Sequence, residues 1–377
     1  MLGLLFRRLS QLRGTGDSLP NLYLIRIESS SFRFNSNATN QPSLTVDYLV
    51  NSCGLSPETA LKASKFVVLK TTTKADSVLA LFRNYGFSLP EIANIISNNP
   101  LVLRADPDKI LNPKIELLCK IGISGSYIAK ILSRYANFLS VSLEKELIPS
   151  LDFLKSFVNT DAKVALTLSR LRWSSRLPEI MGPNIEILRN HGVPESSISK
   201  LISLQPRLLT WKAERFKQII VGVEELGLNP KTSVFVHGVR TFAGSKKPLW
   251  EAKFAVFRSF GWSEDVILKL FQKQPSIFSI SEKVIRERLG FFMNEINWTV
   301  DDLLKCPVAF LCSMEKRILP RCSVLQLLLA KGLVKKKSMG RAFLLTEDKF
   351  LKQFVMRYLD VQPELLKVYQ SVYEEVG

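Results

Sequence analysis

The sequence predicts an all-α fold: a right-handed-type helical-repeat solenoid that curves into a superhelix. Three observations carry this. An apolar run, a proline and a second apolar run recur at near-constant spacing, clearest in Ile95-Ile96-Ser97-Asn98-Asn99-Pro100-Leu101-Val102-Leu103. A glycine or asparagine recurs in phase with that run. No stretch alternates apolar and polar residues over a useful length, so almost no strand is expected. A fixed period in this range is the signature of stacked helical units.

Taking the proline slot as anchor places the repeats at 65, 100, 136, 171, 206, 240, 275, 307 and 341, with steps of 32 to 36 residues. Gln205-Pro206-Arg207-Leu208-Leu209, Gln274-Pro275-Ser276-Ile277-Phe278 and Cys306-Pro307-Val308-Ala309-Phe310 are close copies. The anchors at Lys65, Ala136, Leu171, Arg240 and Arg341 lack proline.

Each period reads in three parts. A first helix ends at Gly54, Gly86, Gly122, Asn159, Gly192, Gly227, Gly261, Asn297 or Gly332, residue types that tolerate the left-handed conformation after a helix. A second helix opens on Ser56, Ser88 or Ser263, each followed by acids or proline in the first turn, and runs to the anchor. An acidic-basic pair follows: Asp108-Lys109, Glu144-Lys145, Glu214-Arg215, Glu282-Lys283, Glu315-Lys316 or Asp348-Lys349. The pair is expected in a short third helix of its own, with Pro113, Pro149 or Pro320 opening the next long helix. About nine such units fit between residues 44 and 377. At roughly 9–10 Å per helix layer they would trace about 80–90 Å.

Residues 1–34 differ in kind. They hold Arg7, Arg8, Arg13, Arg26 and Arg33, no lysine, and only Asp17 and Glu28 as acids. Leu2, Leu5, Phe6, Leu9 and Leu12 share one helical face. This is the pattern of an organelle transit peptide, and its arginine richness favours the mitochondrion over the chloroplast. Arg33-Phe34-Asn35-Ser36 resembles a matrix-processing site. Residues 35–43 read as a linker and 44–377 as the repeat array.

The chain of 377 residues carries 52 Lys and Arg against 34 Asp and Glu, a net charge of +18. The leader removes five arginines and two acids, so the array keeps 47 basic and 32 acidic side chains, a net +15. Such an excess points to a polyanionic partner, nucleic acid before an acidic membrane surface. No apolar run is long enough to span a bilayer. Cys53, Cys119, Cys306, Cys312 and Cys322 form no CxxC pair, and His191 and His237 stand outside any catalytic constellation. No metal site, no cofactor and no enzyme activity are expected.

Two groups of cations are candidates for a nucleic-acid interface. Lys74, Lys109, Lys145, Arg215, Lys283, Lys316 and Lys349 recur past the anchors. Arg104, Arg134, Arg170, Arg172, Arg207, Arg240 and Lys273 flank them. Equivalent positions in a solenoid form a line, and a line of cations tracks a phosphate backbone; a solvated surface row fits the same pattern. Lys335-Lys336-Lys337 reads as a solvated loop. Phe66, Phe138, Trp173, Phe242, Phe278, Phe310 and Phe343 follow the anchors, and core packing is their default over stacking on bases.

The anchor run, the glycine turn and the short third segment together resemble the mitochondrial transcription termination factor (mTERF) family over residues 44–377. Leu49-Val50-Asn51-Ser52-Cys53-Gly54-Leu55-Ser56-Pro57-Glu58 and Pro320-Arg321-Cys322-Ser323-Val324-Leu325 resemble its land-plant branch. Pentatricopeptide units lack the recurrent mid-unit proline, and the tetratricopeptide Trp-Leu-Gly-Tyr pattern is absent. The resemblance implies a monomeric solenoid that binds double-stranded DNA of the organelle and regulates transcription, including its termination. Binding of structured RNA, in intron splicing or ribosomal RNA assembly, and a protein-scaffold role are the alternatives.

Overall fold

The computed structural model describes residues 44–123, 125–171, 176–244, 246–336 and 338–376. The leader 1–34, the linker 35–43, Arg172, Trp173 and Lys337 therefore lie outside the described residues. Those described are helical, with no strand among them. They fall into two compact units that divide between Lys217 and Gln218.

In the first unit the anchor ends the second helix as expected. Leu89–Asn98 stops at Asn99 and Glu195–Leu204 at Gln205, each followed by an anchor proline. Gly125–Arg134 stops at Tyr135 with nearly the same backbone (φ −131°, ψ 59°), although Ala136 follows it. The break is thus built into the repeat, and proline reinforces it by disfavouring helix in the residue before it. A 3-10 turn begins at each of these anchors: Pro100–Arg104, Ala136–Ser140 and Pro206–Thr210. Its later apolar residues face inward: Leu103, Phe138 and Leu209 are fully buried, as are Leu111, Ile115 and Leu118 of the helices that follow the first turn.

The second unit repeats the pattern with Pro275–Ser279 and Pro307–Leu311. Here the rings after the anchors join one aromatic chain. Phe242 meets Trp250 (6.2 Å between centroids), Trp250 stacks on Phe278 (5.2 Å) and Phe278 meets Phe257 (5.6 Å). Phe257 then meets Phe310, Phe310 meets Phe292 and Phe292 meets Phe343. All are buried, which assigns these rings to packing. Phe66 is the exception: it is 58% exposed, contrary to the core role expected of it.

Four further expectations need correction. The acidic-basic pair does not occupy a separate helix. The short third element is the 3-10 turn at the anchor, and the pair sits in the first turn of the long helix. Pro113, Pro149 and Pro320 do stand in the first turn of the α-helices Asn112–Lys120, Ile148–Phe157 and Leu319–Ala330, but the helix itself begins earlier, at the π turn. These prolines lie inside continuous helices over 107–120, 143–157 and 314–330, two residues past the end of a π turn. The wide i→i+5 bonds, such as Ile148 N–H to the Leu143 carbonyl, relieve the clash and missing donor that proline brings to an α-helix. Arg240 and Arg341 lie within the helices Ser233–Ala243 and Ser338–Leu344, so neither proline-free anchor ends its helix. Finally, Asn297 is left-handed (φ 51°), as are Gly54, Gly86, Gly122, Gly192, Gly227, Gly261 and Gly332, but Asn159 is not. The helix before Asn159 ends in extended backbone at Val158.

The serine caps are as expected. Ser56 Oγ accepts from Thr59 N–H, Ser263 Oγ from Val266 N–H, and Ser88 forms a capping box with Glu91.

Candidate nucleic-acid interface

Every cation of the first row occupies the first turn of a helix. In the first unit Lys74 is the second residue of Thr73–Asn84, Lys109 the third of Pro107–Leu111, Lys145 the third of Leu143–Leu147 and Arg215 the third of Ala213–Glu225. In the second, Lys283 is the second residue of Glu282–Gly290, Lys316 the third of Met314–Ile318 and Lys349 the third of Glu347–Phe350. A helix N-terminus carries partial positive charge, so a cation there opposes the macrodipole by about 0.3–1 kcal/mol. The neighbouring acids suit that end. Backbone N–H bonds hold the Asp106 and Glu315 carboxyls below the usual carboxylate range. The cations therefore add nothing to helix stability at these positions.

Most of the row is solvent-facing: Lys74, Lys109, Lys145, Lys283, Lys316 and Lys349 are exposed. After the backbone N–H bonds, the charges of Lys109 and Lys74 also lower the Asp106 pKa, so the cations of two successive repeats act on one carboxylate. Arg215 is half-buried, its guanidinium 4.0 Å from the Trp211 ring centroid.

The second group is mixed. Arg104, Arg134 and Arg207 are exposed. Arg170 donates to the Ser203 carbonyl (2.6 Å) and Lys273 to the Leu304 carbonyl (3.0 Å), so each ties a helix end to the next repeat. Arg240 lies 3.5 Å from His237 Nδ1. Lys335 and Lys336 are exposed, and Lys336 donates to the Asn297 carbonyl. An open hollow of about 460 Å³ beside Lys316 is lined also by Val308, Leu311, Cys312, Ser313, Arg317 and Glu347.

Sequence reasoning missed a set of buried polar groups. Lys114 Nζ donates to the Leu139 carbonyl (2.6 Å), Asn184 Nδ2 to the Leu209 and Trp211 carbonyls (2.9 and 2.7 Å), and Lys253 Nζ to the Phe278 carbonyl. Arg321 Nη1 serves the carbonyls of Ala342, Phe343 and Leu345. Each donor reaches the 3-10 turn, or its equivalent, of the following repeat. Burial lowers the pKa of Lys114 and of Lys253. Arg288 holds the corresponding place between Lys253 and Arg321, but its buried Nε and Nη1 have no partner. The signal was present in Pro113-Lys114, Pro183-Asn184 and Pro320-Arg321, where a polar residue interrupts an apolar stripe one step after proline.

Among the described residues no group of His, Cys, Asp and Glu is placed to hold a metal ion, and no helix is long and apolar enough to cross a membrane.

Fold and site together define an all-α helical-repeat protein with a periodic row of cations at its helix starts. The mTERF family profile matches residues 79–237 and 218–351, and the chain belongs to the mTERF family. It is similar to transcription termination factor MTERF8, chloroplastic, of Arabidopsis thaliana, 20% identical over 228 residues that cover 59% of this chain and 45% of that protein. It is also similar to transcription termination factor MTERF15, mitochondrial, of the same plant, 22% identical over 239 residues, 60% of this chain and 50% of that protein. The chain thus spans about half the length of these relatives.

Proposed function

We propose that this protein binds double-stranded DNA in an organelle, through the row of cations at its helix starts, and regulates transcription there, termination included. The carrying observation is the row itself: seven cations in equivalent first turns, each opposing the local dipole. A cation at the positive end of a helix dipole is a favourable setting for a phosphate. Family membership and the names of the two plant relatives, organellar transcription termination factors, support a role in organellar gene expression. The Arg-rich leader supports the mitochondrion as the compartment.

The test is competitive binding of the protein lacking residues 1–34 to duplex DNA, structured RNA and an organelle protein extract. Preference for duplex DNA supports the proposal. Preference for structured RNA moves the function to transcript processing or ribosome assembly, and retention of extract proteins alone makes the protein a scaffold. Targeting is tested separately: a fluorescent fusion of the full chain is expected in mitochondria, and deletion of residues 1–34 is expected to abolish import.

A further inference from the structure

The buried donors and the cation row are linked through the backbone. Lys114 holds the Leu139 carbonyl, and the chain runs from there through the Ser142 cap to Lys145. Asn184 holds the carbonyls of Leu209 and Trp211, just before Arg215. Lys253 holds that of Phe278, ahead of the Ser281 cap and Lys283. Arg321 holds that of Leu345, ahead of Thr346 and Lys349. For the first three the donor and its carbonyl stand 25 residues apart. The same reach thus recurs in both units.

A lysine or arginine is a costly way to fill a core position, because its charge is taken out of water. A leucine would pack there at lower cost but would leave the carbonyl at the end of the 3-10 turn without its donor. The turn between that carbonyl and the next helix cap is only a few residues long, so fixing the carbonyl fixes the direction in which the next helix starts. That direction aims the row cation.

We infer that Lys114, Asn184, Lys253 and Arg321 are positioning residues for the phosphate-binding row, each setting the first turn that presents Lys145, Arg215, Lys283 and Lys349 respectively. They touch no nucleic acid themselves. The inference rests on the proposed nucleic-acid binding and adds to it a mechanism by which spacing along the row is held.

The test uses the protein without its leader, carrying Lys253→Met, Lys253→Arg, Lys283→Gln or the Met and Gln changes together. Hydrogen exchange on the unbound protein is read at amides 279–285. Binding to duplex DNA is read as the slope of log K against log salt, which changes by about 0.9 per phosphate contact. Lys253→Met is expected to speed exchange in that turn and to lower the slope by about one contact. Lys283→Gln is expected to lower it equally, and the double variant no further, with Lys253→Arg restoring both readouts. Unchanged exchange, an unchanged slope, or additive losses in the double variant would overturn the inference while leaving nucleic-acid binding intact. Absence of binding by the parent protein would overturn the proposed function and this inference with it. Should Lys253→Met fail to fold, Asn184→Leu, read at amides 210–216 and against Arg215→Gln, gives the same contrast in the other unit.

Discussion

Arg321 is wholly buried, and its Nη2 donates to Glu347 Oε2 at 3.0 Å, a carboxylate whose side chain is 47% exposed. The pair joins the core of one helix to the start of another, while Nη1 serves three carbonyls. Removing the guanidinium strands those acceptors. Arg321→Met is expected to lower stability by about 3–5 kcal/mol, because the carbonyls of Ala342, Phe343 and Leu345 lose their donor. Glu347→Gln keeps an oxygen for Arg321 Nη2 but removes the counter-charge of the buried guanidinium, and is expected to cost about 1.5–3 kcal/mol. Urea unfolding of the two variants checks the order.

The anchor run separates core from surface residue by residue. Leu209 is fully buried, whereas Leu101 is 51% exposed. Leu209→Asp is expected to cost roughly 4 kcal/mol or more, because it buries a charge without a partner. Leu101→Asp is expected to stay within about 0.5 kcal/mol of the parent. Equal melting of the two would contradict the packing described for the 3-10 turns.

Two glycines inside helices have opposite surroundings. A methyl on Gly238 would sit 2.5 Å from Leu228 Cδ2 and 3.1 Å from Val223 Cγ1, while one on Gly290 would meet nothing within 4 Å. Gly238→Ala is expected to destabilise by about 1–3 kcal/mol through overpacking. Gly290→Ala is expected to stabilise by about 0.5–1 kcal/mol, the backbone entropy that glycine loses in a helix. Thermal melts give both signs.

Cys119 is exposed, and Cys53, Cys306, Cys312 and Cys322 are buried. Burial pushes the Cys53 and Cys322 thiols up to about 12 from an ordinary 9.0. One thiol is expected to react promptly with an aromatic disulfide at pH 8, and five in urea. The folded protein keeps protons that the unfolded chain releases. This contribution to stability is therefore full below pH 9 and is lost as pH rises toward 12. Replacing Cys53 and Cys322 by alanine is expected to flatten that alkaline fall in the urea midpoint.

How much of this was legible in the sequence differs from one residue to the next. The period, the left-handed glycines and the serine caps follow from local chemistry, and Gly122 or Ser88 carries its signal in its own type. The break before Ala136 carries no proline, and only its phase with the other anchors and the buried pair Phe138 and Leu139 after it mark it. Pro149 reads as a helix start, because only the π turn before it makes an interior proline tolerable. Lys253 reads as a surface residue by type. Its burial is decided by an acceptor 25 residues away, at Phe278. The row cations were visible as a period, but their placement against the helix dipoles emerged only when the helix starts were located.

The most direct test of the account is the salt dependence of binding to duplex DNA when the row is neutralised. Lys109, Lys145, Arg215, Lys283 and Lys316 are changed together to glutamine and compared with a variant changed at Lys335, Lys336 and Lys337. Each lost phosphate contact removes about 0.9 from the slope of log K against log salt. The row variant is predicted to lose several units of slope and to bind all sequences more weakly, while the Lys335–Lys337 variant changes little. A row variant that stays folded and keeps the parent's slope, or the reverse ranking of the two, would contradict the account.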